Sequence, residues 1–486
     1  MTHDASTDGS CLRVPGLLVR WWARWGCYVA PALIFLALTL PKLGQGGFRT
    51  DTGRYAAVGL QMWRTGEFWT PYLQPDTEYF NKPPLVLWIH GAALEVLDVG
   101  VWQARLPSVL AALGCVLVLV AITRRYANRT RALMVGVALA TTLEFFRRTK
   151  EVSIDMWQVL FLLGAVWCVS VAVTRARQRA AGDAGWFALA GVGIGLALLC
   201  KPLAGLLAVP ILGVWLLSAG QWRRVGWLAL TTLVAVVVAG PWHVSMAQIH
   251  GEAFTGQYFG KEIADRAAGE IMSEPWFYYF NEMVQYHWPW LGAAVGGLIG
   301  WLINFPRGFG RADRRGLLLG VVWSVGWLAL LSSFPDKRPR YGLLFYPGLA
   351  LVSGIWLFDV VPVAWRRSLV RKLAVIVAVV GVGGLGLALA PVRVNRPADP
   401  GYAAVGEWMN AHPERPVMIG TIGSNENGWV YLLTGRWAYR VGGEAYPEAP
   451  AGAVWVWIEH ETPKRKLPRG HEVILDVGAA RLSERP

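Results

Sequence analysis

The chain has 486 residues, of which 54% are hydrophobic and only 16% are charged, with a mean hydropathy of +0.37. Soluble domains carry about 25% charged residues, so this composition excludes a soluble globular chain. Its high hydrophobicity also excludes an intrinsically disordered one. The net charge of +14 would suit a nucleic-acid partner, but the Lys and Arg residues stand in short clusters between apolar runs. This arrangement predicts a multi-span membrane protein without a nucleic-acid partner.

Apolar runs that can cross a bilayer recur along the chain, since about 20 apolar residues span it as a helix. Two of the runs are short, and a further run at 84–97 is either an extra span or a re-entrant helix. We therefore expect an α-helical polytopic membrane protein with about 11–13 transmembrane helices. The eleven predicted spans are 26–42, 105–123, 131–146, 155–174, 186–200, 202–219, 225–242, 288–304, 316–333, 341–361 and 373–391.

The distribution of Lys and Arg predicts how the chain is oriented in the cell membrane. Short cytosolic loops are enriched in these residues. If residues 1–25 form a cytosolic N-terminal segment, six short cytosolic stretches hold 20 of the 46 cations. The membrane domain then extends over 26–391, and its long loops at 43–104 and 243–287 lie on the extracytoplasmic side.

The tail, residues 392–486, differs from the membrane domain in composition. A predicted helix at 402–410 is followed by short apolar strands at 417–422, 454–458 and 473–477. We expect a small extracytoplasmic α/β domain. Its sequence contains neither a nucleotide-binding glycine loop nor His and Cys residues at metal-ligand spacing, so its role stays open.

Asp51 and Lys82 are candidate functional residues of the first outer loop. Asp51 stands just past the first span, where it either caps the next helix or takes part in chemistry. Lys82 precedes Pro-Pro and either reaches lipid head groups or holds a phosphate.

Two clusters of cations oppose the positive-inside pattern. The first is Arg147, Arg148 and Lys150, close to Asp155, and the second is Lys337, Arg338 and Arg340, next to Tyr341. Cations at the membrane edge need anions. In one interpretation lipid head groups or Glu144, Glu151 and Asp336 supply them. In the other, the arginines bind a phosphate.

A series of motifs runs through residues 20–360 in a fixed order. The first outer loop contains Asp-Thr-Gly-Arg-Tyr-Ala (51–56), Tyr-Phe-Asn-Lys-Pro-Pro (79–84) and Ala-Arg-Leu-Pro-Ser (104–108). Later motifs lie at 152–156, 199–202, 240–243, 250–254, 258–262, 275–279 and 338–341. Together they resemble GT-C glycosyltransferases, in particular the lipid A aminoarabinose transferases and the polyprenyl-phosphate-mannose protein mannosyltransferases.

The resemblance implies a GT-C membrane fold and an inverting transfer of sugar from a polyprenyl-phosphate carrier. The acceptor would be a lipid, a glycan or a protein on the extracytoplasmic face, among membrane lipids. It further implies that Asp51 activates or orients the acceptor and that Asp155 assists as a second acid. The residues expected around the carrier phosphate are Arg54, Tyr55, Tyr79, Lys82, Lys201, Arg338, Arg340 and Tyr341. From its position alone, Lys201 is either a turn residue or a donor contact.

Two departures from the resemblance concern metal binding. Asn81 stands where relatives often carry Glu, and Ile263 stands where they often carry His. Glu and His are common metal ligands, whereas Asn81 and Ile263 replace them in this chain. We therefore predict no certain cofactor and no metal ligands, although two carboxylates on different loops could share a divalent cation. Lys261, Glu262 and Arg266 are spaced to pair with one another on a helix.

Three other functions compete with sugar transfer. A transporter or flippase of a lipid-linked sugar would place polar residues inside its spans, whereas this chain carries nearly all of its charge in loops. A non-catalytic envelope scaffold would leave the outer acids and cations without a purpose. An O-antigen-ligase-like enzyme would use a pyrophosphate donor and place its acid–base groups outside the first loop.

Overall fold

The computed structural model is built almost entirely of helices. Its described residues are 16–45, 51–74, 77–175, 182–201, 205–270, 273–287, 290–304, 311–360, 381, 400–419, 431–432, 434–435, 452–458, 471–477 and 480–484. The predicted span 373–391 lies outside these residues except at position 381.

The helices of the membrane domain follow the predicted spans closely, and the run at 84–97 forms a helix of its own. They are α1 Gly16–Thr39, α2 Asp51–Thr65, α3 Leu85–Val96, α4 Val101–Tyr126, α5 Arg129–Ala140, α6 Leu143–Arg148, α7 Ile154–Thr174, α8 Asp183–Leu198, α9 Ala208–Ser218, α10 Trp222–Val225, α11 Trp227–Thr255, α12 Arg266–Ala268, α13 Tyr278–Tyr286, α14 Trp290–Asn304, α15 Arg311–Ser333 and α16 Tyr346–Val360. A 3₁₀ turn at Leu40–Lys42, a π-helical segment at Gly256–Asp265 and a 3₁₀ helix at Pro339–Leu344 connect them.

Length and hydropathy assign some of these helices to the membrane directly. Within the described ranges, four helical stretches are long and apolar enough to cross a bilayer: Val101–Tyr126, Ile154–Thr174, Trp222–Asp265 and Arg314–Ser333. The other apolar helices have 10–17 residues. Short helices can still lie within a membrane where neighbouring helices satisfy the backbone groups at their ends. The prediction of a polytopic helical membrane protein is confirmed.

The long helices pack side by side around one apolar core. α7 lies between α4 and α8, and α8 in turn packs against α11. On the other side α5 contacts α1, α4 and α16, and α16 contacts α14 and α15. Leu162 and Ile194 are fully buried where α7 and α8 meet. The packing brings the start of α7 and the turn before α16 to the same region, because the 3₁₀ helix at Pro339–Leu344 contacts α7.

The predicted span 131–146 is wrong as a single helix, since α5 ends at Ala140 and α6 begins at Leu143. The hydroxyls of Thr141 and Thr142 donate to the carbonyls of Val137 and Ala138, each at 2.8 Å. The Thr142 backbone N–H turns to the Leu139 carbonyl, so the Thr142 hydroxyl takes its place at Ala138, whereas the Val137 carbonyl accepts from both the Thr141 N–H and hydroxyl. The break gives α6 its own direction, and its last turn carries Arg147 and Arg148.

The tail forms the small α/β unit that the sequence predicts. Helix α17 covers Pro400–Ala411, and the strands are β3 Val417–Ile419, β4 Val454–Ile458, β5 Glu472–Val477 and β6 Ala480–Glu484, after β1 Tyr72–Gln74 and β2 Thr77–Glu78 in the first outer loop. The sheet order is β3-β4-β6-β5, with β3 and β4 parallel and the other pairs antiparallel. The polar strand β6 was not predicted, because only Leu482 gives it an apolar core residue.

The first outer loop is held together by a close crossing of α2 and α3. A Cβ atom on Gly91 would lie 2.2 Å from the Gly59 carbonyl oxygen, and a Cβ on Gly59 would lie 2.3 Å from the Leu87 carbonyl oxygen. Backbone atoms cannot move aside as a flexible side chain can, so only glycine permits this approach. The crossing fixes α2, whose first residue is Asp51.

We expect Gly91→Ala to destabilise the protein by about 1–3 kcal/mol, because the added methyl group forces α2 away from α3. The measurement is thermal unfolding of the purified protein in detergent. Gly164→Ala in α7 is the matched control, because a Cβ there meets no atom within 4 Å. A helical Gly→Ala change without a clash stabilises by about 0.5–1 kcal/mol. Equal unfolding temperatures for the two variants would contradict the close crossing.

Candidate active site

Asp51 begins α2 and lies beside two arginines. Arg54, one helical turn further on, places Nη1 4.0 Å from Asp51 Oδ1. The other carboxylate oxygen, Oδ2, accepts a hydrogen bond from Arg340 Nη1 at 2.9 Å. Burial raises the pKa of the Asp51 carboxyl, but Arg340, Arg54 and Lys82 outweigh it and hold the pKa below its ordinary value. Asp51 is therefore a carboxylate at neutral pH.

Asp155 occupies the first turn of α7. The side chain of Ser153 caps this helix by accepting a hydrogen bond from the Met156 N–H. The Lys201 ammonium, just after α8, donates to Asp155 Oδ1 at 2.7 Å. Lys201 is thus more than a turn residue, because it bridges the end of α8 to the start of α7.

Arg340 links the two candidate acids. It lies in the 3₁₀ helix at Pro339–Leu344, and its Nε atom is 3.8 Å from Asp155 Oδ2 while its Nη1 bonds Asp51. One guanidinium therefore bridges carboxylates that are 104 residues apart in sequence. A planar guanidinium with five donors suits this bridging role better than an ammonium does.

Lys82 is paired with an acid that the sequence did not single out for the site. Its Nζ atom lies 2.5 Å from Glu262 Oε2 and also donates to the Asn81 carbonyl at 2.8 Å. Glu262 belongs to the π-helical segment, and the spacing of its neighbours led us to expect pairing within that segment. The bridge to Lys82 crosses 180 residues of sequence, so local spacing could not reveal it.

These residues surround one enclosed polar cavity of about 120 Å³. Four carboxylates and four cations contribute to its wall, so its charges balance when all are ionised. The residues that line it are Asp51, Thr52, Tyr55, Lys82, Arg148, Glu151, Val152, Ser153, Ile154, Asp155, Lys201, Glu262, Arg340 and Tyr341. Seven of the ten residues predicted for the site are among them.

A larger, mostly apolar cavity of about 270 Å³ adjoins the polar one. Lys201, Glu262 and Tyr341 line both cavities. The Lys201 ammonium lies 3.6 Å above the centre of the Tyr341 ring, in a cation–π contact. The apolar wall is built mainly from Leu206, Leu207, Ile263, Trp327, Leu330, Leu331, Phe334 and Leu344. Charged and apolar surfaces therefore meet along a boundary formed by three side chains.

The three other predicted residues lie outside the cavity lining. Arg54 contacts Asp51, and the buried Tyr79 has its ring centre 6.5 Å from that of Tyr55. Burial raises the pKa of the Tyr79 phenol, so it remains protonated. Arg338 places Nε 3.2 Å from Asp336 Oδ1. For Arg338 the ion-pair interpretation therefore describes the structure better than a direct contact with a ligand in the cavity.

In the first cation cluster, Arg147, Arg148 and Lys150, Arg148 fits both interpretations, since it pairs with acids and also lines the polar cavity. Arg148 bridges Glu144 and Glu151, and Arg147 also reaches Glu144, which is fully buried. Arg148 and Glu151 nevertheless line the polar cavity. The sequence offered Arg147 and Arg148 either as partners of acids such as Glu144 and Glu151 or as phosphate ligands, and it did not include them among the ten predicted site residues.

The described residues contain no group of three or more His, Cys, Asp and Glu side chains arranged to hold a metal ion. At the two positions where metal-ligating residues are replaced, Asn81 Oδ1 accepts a hydrogen bond from Gln257 Nε2 at 2.6 Å, and Ile263 lines the apolar cavity. Between Asp51 and Asp155, Arg340 supplies the positive charge that a shared cation would bring.

Comparison with known proteins gives matches along most of the chain. Residues 81–244 match a family model described as dolichyl-phosphate-mannose-protein mannosyltransferase. An undecaprenyl phosphate-alpha-4-amino-4-deoxy-L-arabinose arabinosyl transferase from Edwardsiella ictaluri is 25% identical over 410 residues, which cover 82% of this chain and 70% of the relative. A relative of the same name from an Enterobacter species is 26% identical over 333 residues, covering 65% of this chain and 56% of its own length.

Solved structures share the fold over a still larger part of the chain. ArnT from Cupriavidus metallidurans, bound to undecaprenyl phosphate, superposes with a TM-score of 0.73 at 19% identity and covers 96% of this chain and 98% of its own. The oligosaccharyltransferase AglB from Archaeoglobus fulgidus, in complex with an inhibitory peptide and a dolichol-phosphate, gives a TM-score of 0.63 at 13% identity, covering 87% and 64%. The predicted resemblance is confirmed: the chain is a polytopic membrane protein with the GT-C glycosyltransferase fold and is related in sequence to the aminoarabinose transferases.

Proposed function

We propose that the chain is a membrane glycosyltransferase that moves a sugar from a polyprenyl-phosphate carrier to an acceptor on the extracytoplasmic face. The observation that carries this proposal is the meeting of Asp51, Asp155 and Arg340 in a charged cavity that adjoins an apolar one. A prenyl phosphate has the same two parts, an anionic head and an apolar chain. The relatives' names make undecaprenyl phosphate carrying 4-amino-4-deoxy-L-arabinose the donor to test first.

The paired cations suit a phosphate that arrives and leaves. Lys82, Lys201 and Arg340 each contact a carboxylate of the cavity in the structure. A phosphate head group can take the place of these carboxylates, because it offers several acceptor oxygens to the same donors. Held in this way, the cations stabilise the negative charge that develops on the leaving phosphate as its bond to the sugar breaks.

When Arg340 exchanges its carboxylate partners for the donor phosphate, Asp51 and Asp155 become available to the acceptor. In an inverting displacement the acceptor oxygen bonds to the anomeric carbon while the bond to the carrier phosphate breaks. The acceptor hydroxyl donates its hydrogen bond to a carboxylate, which receives the proton as the new bond forms. Release of Arg340 removes the strongest of the charges that lower the Asp51 pKa, so the carboxylate becomes a better proton acceptor while Arg54 remains beside it. Asp155, held by Lys201, supports the same carboxylate environment.

The placement of charge favours transfer over passage of a lipid-linked sugar. Asp155 is in the first turn of α7, Lys201 follows α8, and Arg340 precedes α16. All three therefore lie at helix ends, whereas transporters place polar groups at broken helices near the middle of the membrane. Sugar transfer is accordingly the function we propose. If loss of the protein stopped translocation of a lipid-linked sugar and left sugar transfer intact, that result would support a flippase instead.

We expect Asp51→Asn to lower the rate of transfer by about 10²-fold or more, because the amide cannot accept the acceptor's proton. The assay mixes the purified protein with undecaprenyl phosphate-4-amino-4-deoxy-L-arabinose and lipid A and follows glycosylated lipid A by mass spectrometry. Asp98→Asn is the matched control. Asp98 is exposed after α3 and has a φ of 65°, a conformation that Asn also adopts readily. An Asp51→Asn variant as active as Asp98→Asn would remove Asp51 from the mechanism.

Lys82→Gln should raise the KM for the prenyl-phosphate donor by about 10- to 150-fold, since loss of one charge-assisted hydrogen bond costs roughly 1.5–3 kcal/mol. Initial rates are measured against donor concentration in the same assay. Lys261→Gln serves as the control, because Lys261 is exposed and stands next to Glu262 in sequence. Unchanged donor KM in Lys82→Gln would mean that Lys82 serves only to hold Glu262.

We further propose that the N-terminus is cytosolic and that the C-terminal domain, residues 392–486, is extracytoplasmic, with the outer loops 43–104 and 243–287 on the same side. The clustering of Lys and Arg in the opposite loops supports this orientation. A reporter enzyme that is active only outside the cytosol should be active when fused after Pro486 and inactive when fused after the loop at 220–224. The reverse pattern would invert the topology.

A further inference from the structure

One turn of α4 contacts the chain ahead of both candidate acids. This turn is residues 104–108, the Ala-Arg-Leu-Pro-Ser motif near the start of α4. Arg105, Ser108 and Ala104 each make a polar contact to a different part of the first outer loop or of the segment before α7. None of the three lines the polar cavity. These three residues therefore contact neighbouring segments of the site and do not line the cavity itself.

Arg105 binds the backbone that follows α1. Its side chain is almost completely buried, with an exposed fraction of 2% for the residue. A single nitrogen, Nη1, donates to the carbonyls of Leu43 at 2.8 Å and Gln45 at 2.6 Å. Gln45 lies six residues before Asp51. A buried guanidinium that donates to backbone carbonyls fixes the path of the chain where the first span ends and the outer loop begins.

Ser108 connects α3 to the start of α7 through a directed chain of hydrogen bonds. The Nδ1 atom of His90, in α3, lies 2.7 Å from the Ala104 carbonyl, which can only accept, so this nitrogen carries the proton. The other ring nitrogen, Nε2, accepts from the Ser108 hydroxyl at 3.5 Å. Ser108 Oγ in turn accepts from the backbone N–H of Ser153 at 2.9 Å. All three groups are buried.

The hydrogen bonds of Ser153 fix the backbone on both sides of Asp155. Its N–H is held by Ser108, and its own hydroxyl accepts from the Met156 N–H at 3.2 Å to cap α7. Asp155 stands between these two bonded backbone positions. The direction of its Cα–Cβ bond is thus set by a segment that is fixed on both sides, with Ser108 as the anchor outside the helix.

We propose that residues 104–108 form a positioning turn, in which Ser108 sets the Asp155 carboxylate through the backbone of Ser153 and Arg105 holds the backbone at Leu43 and Gln45, after α1. The proposal rests on the proposed sugar transfer. Its physical basis is that a reacting group displaced by about 1 Å loses up to about 10²-fold in rate, even when every group that touches the substrate remains. Ser108 and His90 are positioning residues, because Ser108 holds the Ser153 backbone ahead of Asp155 and His90 accepts from Ser108.

The test is Ser108→Ala in the complete membrane protein, assayed with undecaprenyl phosphate-4-amino-4-deoxy-L-arabinose and lipid A. We expect kcat to fall by about tenfold while the KM for the donor changes less than twofold, since the phosphate contacts remain. Ser353→Ala is the matched control. The Ser353 hydroxyl is equally buried and donates to the Trp290 carbonyl, which joins α16 to α14, and Ser353 lines neither cavity. It should leave kcat and KM unchanged.

A double-mutant comparison separates positioning from general loss of structure. In an Asp155→Asn background, followed over hours so that slow transfer is measured, Ser108→Ala should cause no further loss of kcat, because the carboxylate that it positions is gone. An additional tenfold loss in that background, or full activity of Ser108→Ala in the wild-type background, would overturn the proposal.

Ser108→Cys provides a second variant if the alanine variant does not fold. The thiol fills the space of the hydroxyl but is a weak acceptor for the Ser153 N–H. We expect a kcat between those of the wild type and Ser108→Ala, and a wild-type kcat would overturn the proposal. Absence of transfer by the wild-type chain itself would instead overturn the proposed function, so the two failures are distinguishable.

Discussion

The site depends on the contact of the Arg340 guanidinium with two carboxylates, Asp51 and Asp155. Charges at the edge of a membrane domain are costly unless they are paired. The polar cavity meets this constraint with equal numbers of acids and cations, and each of its cations contacts a carboxylate. The same pairing keeps both acids ionised and leaves the cations able to exchange partners. A bound phosphate would therefore replace existing interactions and would not need to create a charged site in an apolar setting.

Rigid helices determine where these charges lie. Asp51 and Asp155 are in the first turns of α2 and α7, and α2 is fixed by the close approach of Gly59 and Gly91. Two cations that pair with these acids come from connecting segments: Lys201 from the turn after α8 and Arg340 from the 3₁₀ helix before α16. Asp51 and Asp155 thus lie in the first turns of packed helices, and these two cations lie on shorter connecting segments. This arrangement can keep the two carboxylates in place while the cations reorient towards a ligand.

The polar and apolar cavities explain why such a fold can serve different members of a diverse group. Lys201, Glu262 and Tyr341 form their common boundary, where an anionic head and an apolar chain would meet. Solved structures share this fold at 13–19% identity. At such distances the arrangement of helices persists while side chains change, so the shared fold does not by itself specify a substrate.

The sequence by itself determined the membrane class, most helix positions and the strands at 417, 454 and 473, because hydropathy and residue patterns are local properties. Its motifs also singled out Asp51 and Asp155, which in the structure contact the same guanidinium. The sequence could not reveal that α5 ends at Ala140, since Thr141 and Thr142 lie inside an otherwise apolar run and hydropathy does not register where the backbone hydrogen bonds change partners. Only the tertiary structure decided the long-range partners of the charges: Glu262 for Lys82, and both acids for Arg340. Ion pairing depends on distance in space, and these pairs join segments that come together only when the helices pack.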